Sequence, residues 1–282
     1  MIKQSLVLIA AVFAFTTPAL AESDSKLSKV LSSQPEEVQA RYQYRNPEAT
    51  LEFFGVKPGM TVVEALPGGG WYSKILLPYL GKDGQLYGVD YAVDLFPLFG
   101  FFSDEQLKAK ETWAETWLAE ANTWRAENDA TLSAFTFATV PEDKHGTADA
   151  VLFIRAMHNL ARFESKRPFL TEALQASHKL LKKGGVVGVV QHQMAEDKPD
   201  AWADGSRGYL KQSFLVKQFE AAGFELVKTS DVNKNPKDNP ADKEIVWRLP
   251  PTYFGSRDDE EKKKVVNAIG ESNRMTLLFR KK

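Results

Sequence analysis

Residues 60–80 constrain the fold of this chain more than any other stretch. Met60 to Leu66 (MTVVEAL) is a β-branched apolar run, which reads as a strand buried on both faces. Gly68-Gly69-Gly70 follows at once, and Trp71 to Leu80 continues as a helix. A strand covered on both faces belongs inside a parallel sheet, because only helical crossovers return the chain to the same edge.

The rest of the chain repeats that alternation. Further strands are expected at Gln85–Asp90, Phe135–Val140, Ala148–Ala156, Val186–His192, Phe224–Val232 and Arg274–Arg280. Ala148 to Ala156 (ADAVLFIRA) is a continuous apolar run, typical of a central parallel strand. Ser103-Asp104-Glu105-Gln106 is a capping box that should start one long helix reaching about Asn128. Helices are also expected over 165–181, with Gly184 as its stop, and over 212–222 and 258–269. The fold class that results is α/β, a Rossmann-like doubly wound sheet, mostly parallel, of about seven strands with helices on both faces. Residues 22–51 read as a helical lead-in and 52–282 as the main domain.

Met1 to Ala21 reads as a secretory signal: Lys3, an apolar stretch from Ser5 to Phe15, then Ala19-Leu20-Ala21 as a small-x-small cleavage site. The apolar stretch is too short to span a bilayer. The expected product starts at Glu22, is periplasmic or secreted, and is not stably inserted in a membrane. Cysteine is absent, which excludes disulfides, thiolate metal sites, a cysteine nucleophile and a lipidated N-terminal cysteine. Lys and Arg number 36 against 37 Asp and Glu, so no strong field favours nucleic acid. The expected partner is a small molecule. The oligomeric state is left open.

Ligands of doubly wound sheets sit at the carboxyl ends of the strands. A glycine loop there admits close backbone approach, the helix behind it offers free N–H groups, and an acid ending the next strand can accept ribose hydroxyls. Glu64, Gly68, Gly70 and Asp90 together read as a nucleoside site. A nicotinamide site would want G-x-G-x-x-G, and here Ser73 stands where the third glycine belongs.

Val62-Val63-Glu64-Ala65-Leu66-Pro67-Gly68-Gly69-Gly70 resembles the cofactor loop of class I S-adenosylmethionine-dependent methyltransferases, acid-x-Gly-x-Gly-x-Gly, with Leu66 in place of the first glycine. Tyr87-Gly88-Val89-Asp90, Ala148 to Phe153, Leu181-Lys182-Lys183-Gly184-Gly185 and Glu220-Ala221-Ala222-Gly223-Phe224 agree in order. Tyr44-Arg45-Asn46-Pro47, Pro67 to Tyr72 and Met157-His158-Asn159-Leu160 resemble an exported, signal-peptide-bearing group of such proteins. The resemblance implies S-adenosylmethionine as cofactor. Glu64 with Gly68, Gly69 and Gly70 would hold its methionine end and ribose, Asp90 the ribose hydroxyls and Asp143 the adenine amine. Trp71 and Tyr72 are expected either to face the sulfonium or simply to pack.

Arg155, His158 and Asn159 follow the fourth strand, where the resemblance places substrate- and methyl-facing groups. His192 and Gln193 follow the fifth. Methyl transfer to a hydroxyl needs a base, and a histidine near its ordinary pKa would give activity rising through about pH 6 to 7. His158 is the first choice, with His192 second. No acid or third histidine is placed to complete a metal site with that pair, so no metal is expected. The apolar run Leu95–Phe102 and the tryptophans 113, 117 and 124 can be core, a pocket roof or a contact surface. The function expected is methyl transfer to a small or apolar acceptor. A non-catalytic nucleoside- or apolar-ligand-binding protein on the same fold is the alternative, and a nicotinamide-dependent oxidoreductase the second.

Overall fold

The computed structural model describes residues 26–282, so the expected signal segment 1–21 and residues 22–25 lie outside the described residues. Seven strands form one sheet in the order β3-β2-β1-β4-β5-β7-β6. They are β1 (Thr61–Ala65), β2 (Gln85–Asp90), β3 (Thr131–Thr136), β4 (Ala148–Ile154), β5 (Leu181–His192), β6 (Phe224–Ser230) and β7 (Arg274–Lys281). β1 pairs in parallel with β2 and β4, β2 with β3, and β4 with β5. β7 pairs antiparallel with both β5 and β6 and is the one reversed strand. The strand order turns around between β1 and β4, which places the ligand crevice of a doubly wound fold over those two carboxyl ends.

The helices are α1 (residues 26–32), α2 (Glu36–Gln39), α3 (Tyr42–Arg45), α4 (Pro47–Phe54), α5 (Ser73–Leu80), α6 (Asp104–Glu111), α7 (Trp113–Trp124), α8 (Met157–Phe163), α9 (Phe169–Leu180), α10 (Gln212–Ala221) and α11 (Glu260–Ile269). Strand alternation sends side chains to two cores. Val62, Leu86, Ala150, Leu152 and Val190 meet α1, α4 and α5 through Leu27, Leu51, Phe54 and Ile75. Val63, Val89, Val151, Phe153 and Val189 meet α8, α9 and α10 through Leu160, Leu174 and Phe219. A third, smaller cluster, Met194, Ala203, Tyr209 and Val246, supports the loops beyond β5.

Three expected boundaries move. β3 spans Thr131–Thr136 instead of Phe135–Val140, because it is an edge strand whose exposed and half-buried first residues leave no apolar run to read. The long helix from the capping box is two helices, α6 and α7, broken at Thr112; the Ser103/Gln106 capping box itself is present. α9 ends at Leu180 and β5 begins at Leu181, so Gly184, at φ +75°, sits inside β5 near a register shift rather than capping the helix. The tryptophans resolve toward core. Trp117 is buried over Gly88, and the ring of Trp124 lies where a Gly70 side chain would be, 2.2 Å from an added Cβ. Phe101 remains 69% exposed beside Phe102, with which it stacks. Among the described residues no helix is long and apolar enough to cross a membrane.

Candidate functional site

The carboxyl edge of the sheet carries two strained residues. Leu66 after β1 has φ +54° and Arg155 after β4 has φ +61°. Leu66 stands where the acid-x-Gly loop has its first glycine, and it keeps the backbone that glycine would supply. Such conformations cost of order 1–3 kcal/mol in non-glycine residues and persist where the surroundings fix them. The surroundings here are sheet extensions: Leu66 N–H donates to the Val89 carbonyl at 2.7 Å, and Arg155 N–H to that of Val190 at 2.6 Å.

On one side of this edge lie the residues expected to hold a nucleoside. Glu64 is buried in β1 and accepts a hydrogen bond from Ser73 Oγ at 2.6 Å. Burial pushes its carboxyl up to about 7, against the lowering effect of Ser73. An added Cβ on Gly68 or Gly69 meets nothing within 4 Å, so the loop presents open backbone. Gly70 is different, since the indole of Trp124 already fills its side-chain space. Asp90, at the end of β2, accepts from Tyr91 N–H at 2.8 Å and from Lys110 Nζ of α6 at 3.1 Å. Burial raises the Asp90 carboxyl, opposed by Lys110 and by the Tyr91 N–H. An ionised carboxylate has about four acceptor positions, so two hydroxyls can still be taken.

Trp71 and Tyr72 pack edge-on at 4.8 Å, and the Arg45 guanidinium lies 4.5 Å over the Trp71 ring. One face of Trp71 is therefore already against a cation from this chain. Asp143 is placed away from these groups. It sits in the short turn Glu142–Lys144 ahead of β4, 71% exposed and 3.1 Å from Lys144 Nζ. The earlier end of β3 brings Phe137 and Ala138, not Asp143, to the carboxyl edge.

On the other side a cavity of about 330 Å³ opens, lined by Leu66, Arg155, His158, His192, Trp247 and Glu271 among others. Three of the expected catalytic residues, Arg155, His158 and His192, thus share one cavity. The fourth, Asn159, turns toward β2, where its Nδ2 donates to the Tyr91 hydroxyl at 3.4 Å. The imidazoles of His158 and His192 are 5.6 Å apart between centroids. His192 Nδ1 is 2.6 Å from Ser272 Oγ, whereas His158 Nδ1 has no hydrogen-bond partner among the described residues. Gly205 holds the start of α8 in place: a Cβ there would lie 2.0 Å from the His158 carbonyl oxygen. Among the described residues no three His, Asp or Glu side chains converge as a metal site.

Burial, then Arg155 and Arg162, push His158 down to about 4, partly offset by Gln191. Burial, with His158, Arg155 and Arg274, puts His192 well below its ordinary value. Both imidazoles are neutral at pH 7, and an activity that used His158 as base would be expected to rise near pH 4 instead of pH 6 to 7. The folded-state values lie below the unfolded one, so this stabilisation is complete above about pH 6.5 and is lost as pH falls toward 4. His158 alone accounts for up to about 3 kcal/mol. Glu64, pushed up to about 7, acts in the opposite sense over the same range, so the readout is the difference between proteins: urea midpoints measured at pH 7, 5 and 4 should drop relative to those of His158→Gln as pH falls, and parallel curves for both would place His158 in water.

Sequence reasoning missed the groups behind this cavity. Glu271 is buried among four arginines. Arg41 pairs with its Oε1, Arg45 Nε is 3.4 Å from the same oxygen, Arg274 Nη1 is 3.2 Å from Oε2, and Arg155 Nη1 is 4.0 Å from Oε2. Burial pushes Glu271 up, but Arg274, Arg45, Arg41 and Arg155 outweigh it and hold the carboxyl below its usual range. Arg45 itself is pushed down to about 10 by burial and then by Arg155. Of these groups, sequence reasoning named only Arg155 as a site residue; Arg45 stood in the Tyr44-Arg45-Asn46-Pro47 segment and Arg274 at the start of an expected strand, neither with a role.

No family model matches the sequence, and no curated protein matches it. Among solved structures the chain is similar to a SAM-dependent methyltransferase from Aquifex aeolicus, at 18% identity and TM-score 0.48 over 73% of this chain and 93% of that one. It is similar to a geranyl diphosphate methyltransferase solved with GPP and sinefungin, at 15% identity and TM-score 0.49 over 84% and 77% of the two chains. A third is the 1,6-didemethyltoxoflavin-N1-methyltransferase of Burkholderia thailandensis, solved with bound 1,6-didemethyltoxoflavin and S-adenosylhomocysteine, at 13% identity and TM-score 0.45 over 96% and 94% of the two chains.

Proposed function

We propose that this chain transfers a methyl group from S-adenosylmethionine to a small or apolar acceptor outside the cytoplasm. The observation that carries the reading is the placement of Glu64, the open backbone of Gly68 and Gly69, and Asp90 on the carboxyl ends of the adjacent strands β1 and β2. The cofactor supplies an electrophilic methyl on a sulfonium. Asp90 accepts ribose hydroxyls beside Lys110, and Glu64 offers a carboxylate toward the cationic methionine end. His158, neutral and lining the cavity, is the group to take a proton from an acceptor hydroxyl there. Trp247, Leu249 and Leu66 contribute apolar surface to that cavity, against which an apolar part of the acceptor can pack.

Asp90→Ala should weaken S-adenosylhomocysteine by about 1–3 kcal/mol, the cost of a lost partner for buried hydroxyls. Calorimetric titration of the folded variant measures it, and an unchanged affinity removes the nucleoside site. The extracytoplasmic part of the reading rests on residues 1–21. N-terminal sequencing of periplasmic protein should begin at Glu22; an intact Met1 on membrane-held protein would make the segment an anchor.

The Lys110–Asp90 ion pair favours a second reading, a non-catalytic binding protein on the same fold, because a ligand must share Asp90 with an internal cation. Release of labelled methyl from the cofactor to any compound in a cell extract separates catalysis from binding.

A further inference from the structure

The cavity beside the histidines carries an excess of positive charge that methyl transfer itself does not require. Four guanidinium groups, of Arg41, Arg45, Arg155 and Arg274, surround one carboxylate, that of Glu271. Among the described residues no second carboxylate pairs with any of the four. Arg45 and Arg274 are buried, and the Arg155 side chain keeps 28% of its surface exposed. Buried cations are costly unless paired, so three charges in excess mark a place built for a further anion.

The neighbours do not supply it. His158 and His192 are neutral when unprotonated and add positive charge when protonated. The Tyr72 hydroxyl is held neutral, because burial pushes it up to about 12. Of the four arginines, Arg45 and Arg155 line the cavity, while Arg41 and Arg274 stand behind them on Glu271. Arg155 also holds a left-handed backbone, φ +61°, fixed by its N–H bond to the Val190 carbonyl, at the point where it lines the cavity. Apolar residues, Trp247 and Leu249 among them, also line the cavity. The volume, about 330 Å³, is at the small end of ligand pockets.

We propose that this cavity binds the anionic head of a compact ligand, a carboxylate or phosphate held by Arg45 and Arg155, with the ligand's apolar body against Trp247 and Leu249. Guanidinium groups suit both anions because their paired N–H donors match two oxygens at once. The anion can belong to the methyl acceptor or to the cofactor's own carboxylate. Its assignment to the acceptor rests on the methyl-transfer reading, whereas the anion site does not.

The test uses mature protein at constant ionic strength. Benzoate, benzamide and inorganic phosphate are titrated calorimetrically without cofactor, and S-adenosylhomocysteine and 5′-methylthioadenosine are titrated separately. Benzoate or phosphate should bind and the neutral benzamide should not. Arg155→Asn, which removes the charge and tolerates the left-handed backbone, should weaken the anions about tenfold or more, while Arg155→Lys should recover part of the loss. Arg45→Gln is the second variant. If Arg155→Asn also weakens S-adenosylhomocysteine and spares 5′-methylthioadenosine, the anion is the cofactor's carboxylate. If both nucleosides are unaffected and benzoate still binds cofactor-saturated protein, the anion is the acceptor's. Both results keep the site. It is overturned if benzoate, phosphate and S-adenosylhomocysteine all bind the folded Arg155→Asn and Arg45→Gln proteins as tightly as the parent. Anion binding by a protein that binds neither nucleoside would instead sink the methyl-transfer reading and leave this site standing.

Discussion

Glu271→Ala should lower the free energy of unfolding by about 3–5 kcal/mol, the usual cost of breaking a buried ion pair from one side. The reason is the count of charges: the carboxylate serves four arginines, and its removal leaves all of them facing one another in a poorly hydrated pocket. The loss reaches beyond the cavity. Arg274 also donates to the Tyr44 carbonyl and Arg45 stacks on Trp71, so Glu271 ties α3 to the residues that enter β7. Equilibrium urea denaturation of parent, Glu271→Gln and Glu271→Ala proteins at pH 7 measures the effect. The glutamine variant loses the charge but keeps a hydrogen-bonding group, and should lie between the other two. Added phosphate should restore part of the alanine variant's stability by occupying the vacated charge site. A loss below about 1 kcal/mol in a natively folded Glu271→Ala protein would mean that the arginines are hydrated well enough to need no partner.

With a hydroxyl acceptor, His158→Ala should reduce turnover by about 10²–10⁴, the typical contribution of a positioned base. His192→Ala should cost less, since its Nδ1 is engaged by Ser272 and its role is to shape the wall against His158. The pH profile is the sharper measurement. With His158 pushed down to about 4, the parent enzyme should already be at its plateau by pH 6, and activity should fall only as pH drops through about 4. The rate needs an acceptor, found by following labelled methyl into extract compounds. Undiminished turnover in both alanine variants would return the two imidazoles to purely structural work. A rise centred at pH 6 to 7 in the parent would show the cavity to be wetter than its walls suggest.

The central strands were legible because they announce themselves locally. β1, β2, β4 and the second half of β5 are apolar runs, closed by Pro67-Gly68, Asp90, Arg155 and Gln191-His192, and each lies close to where the pattern put it. β3 was misplaced because an edge strand is half-exposed and its exposed face carries no hydrophobic signal. At the edge of the sheet, local patterning placed Gly68, Asp90, His158 and His192 at or just after strand ends, where the structure has them. It could not find the arginine cluster. Arg41, Arg45, Arg155, Arg274 and Glu271 come from three distant parts of the chain, and only the crossing of α3, β4 and β7 brings them together. Local patterning was also silent on protonation, since the depth at which an imidazole is buried is a property of packing and not of its neighbours in sequence.

The position of β7 has a consequence for the order in which the molecule can be assembled. β6 precedes β7 in the chain, yet β7 lies between β5 and β6 and supplies all the sheet pairing that β6 receives. A chain emerging from a ribosome or a translocation channel can therefore pair β1 to β5 early, but β6 has no neighbour until residue 281 is free. Glu271, Ser272 and Arg274 arrive with β7, so the charge cluster closes only when the sheet does. Until then β5 presents an open edge, which makes the interval before β7 emerges the one in which the chain is most exposed to mispairing and to proteases.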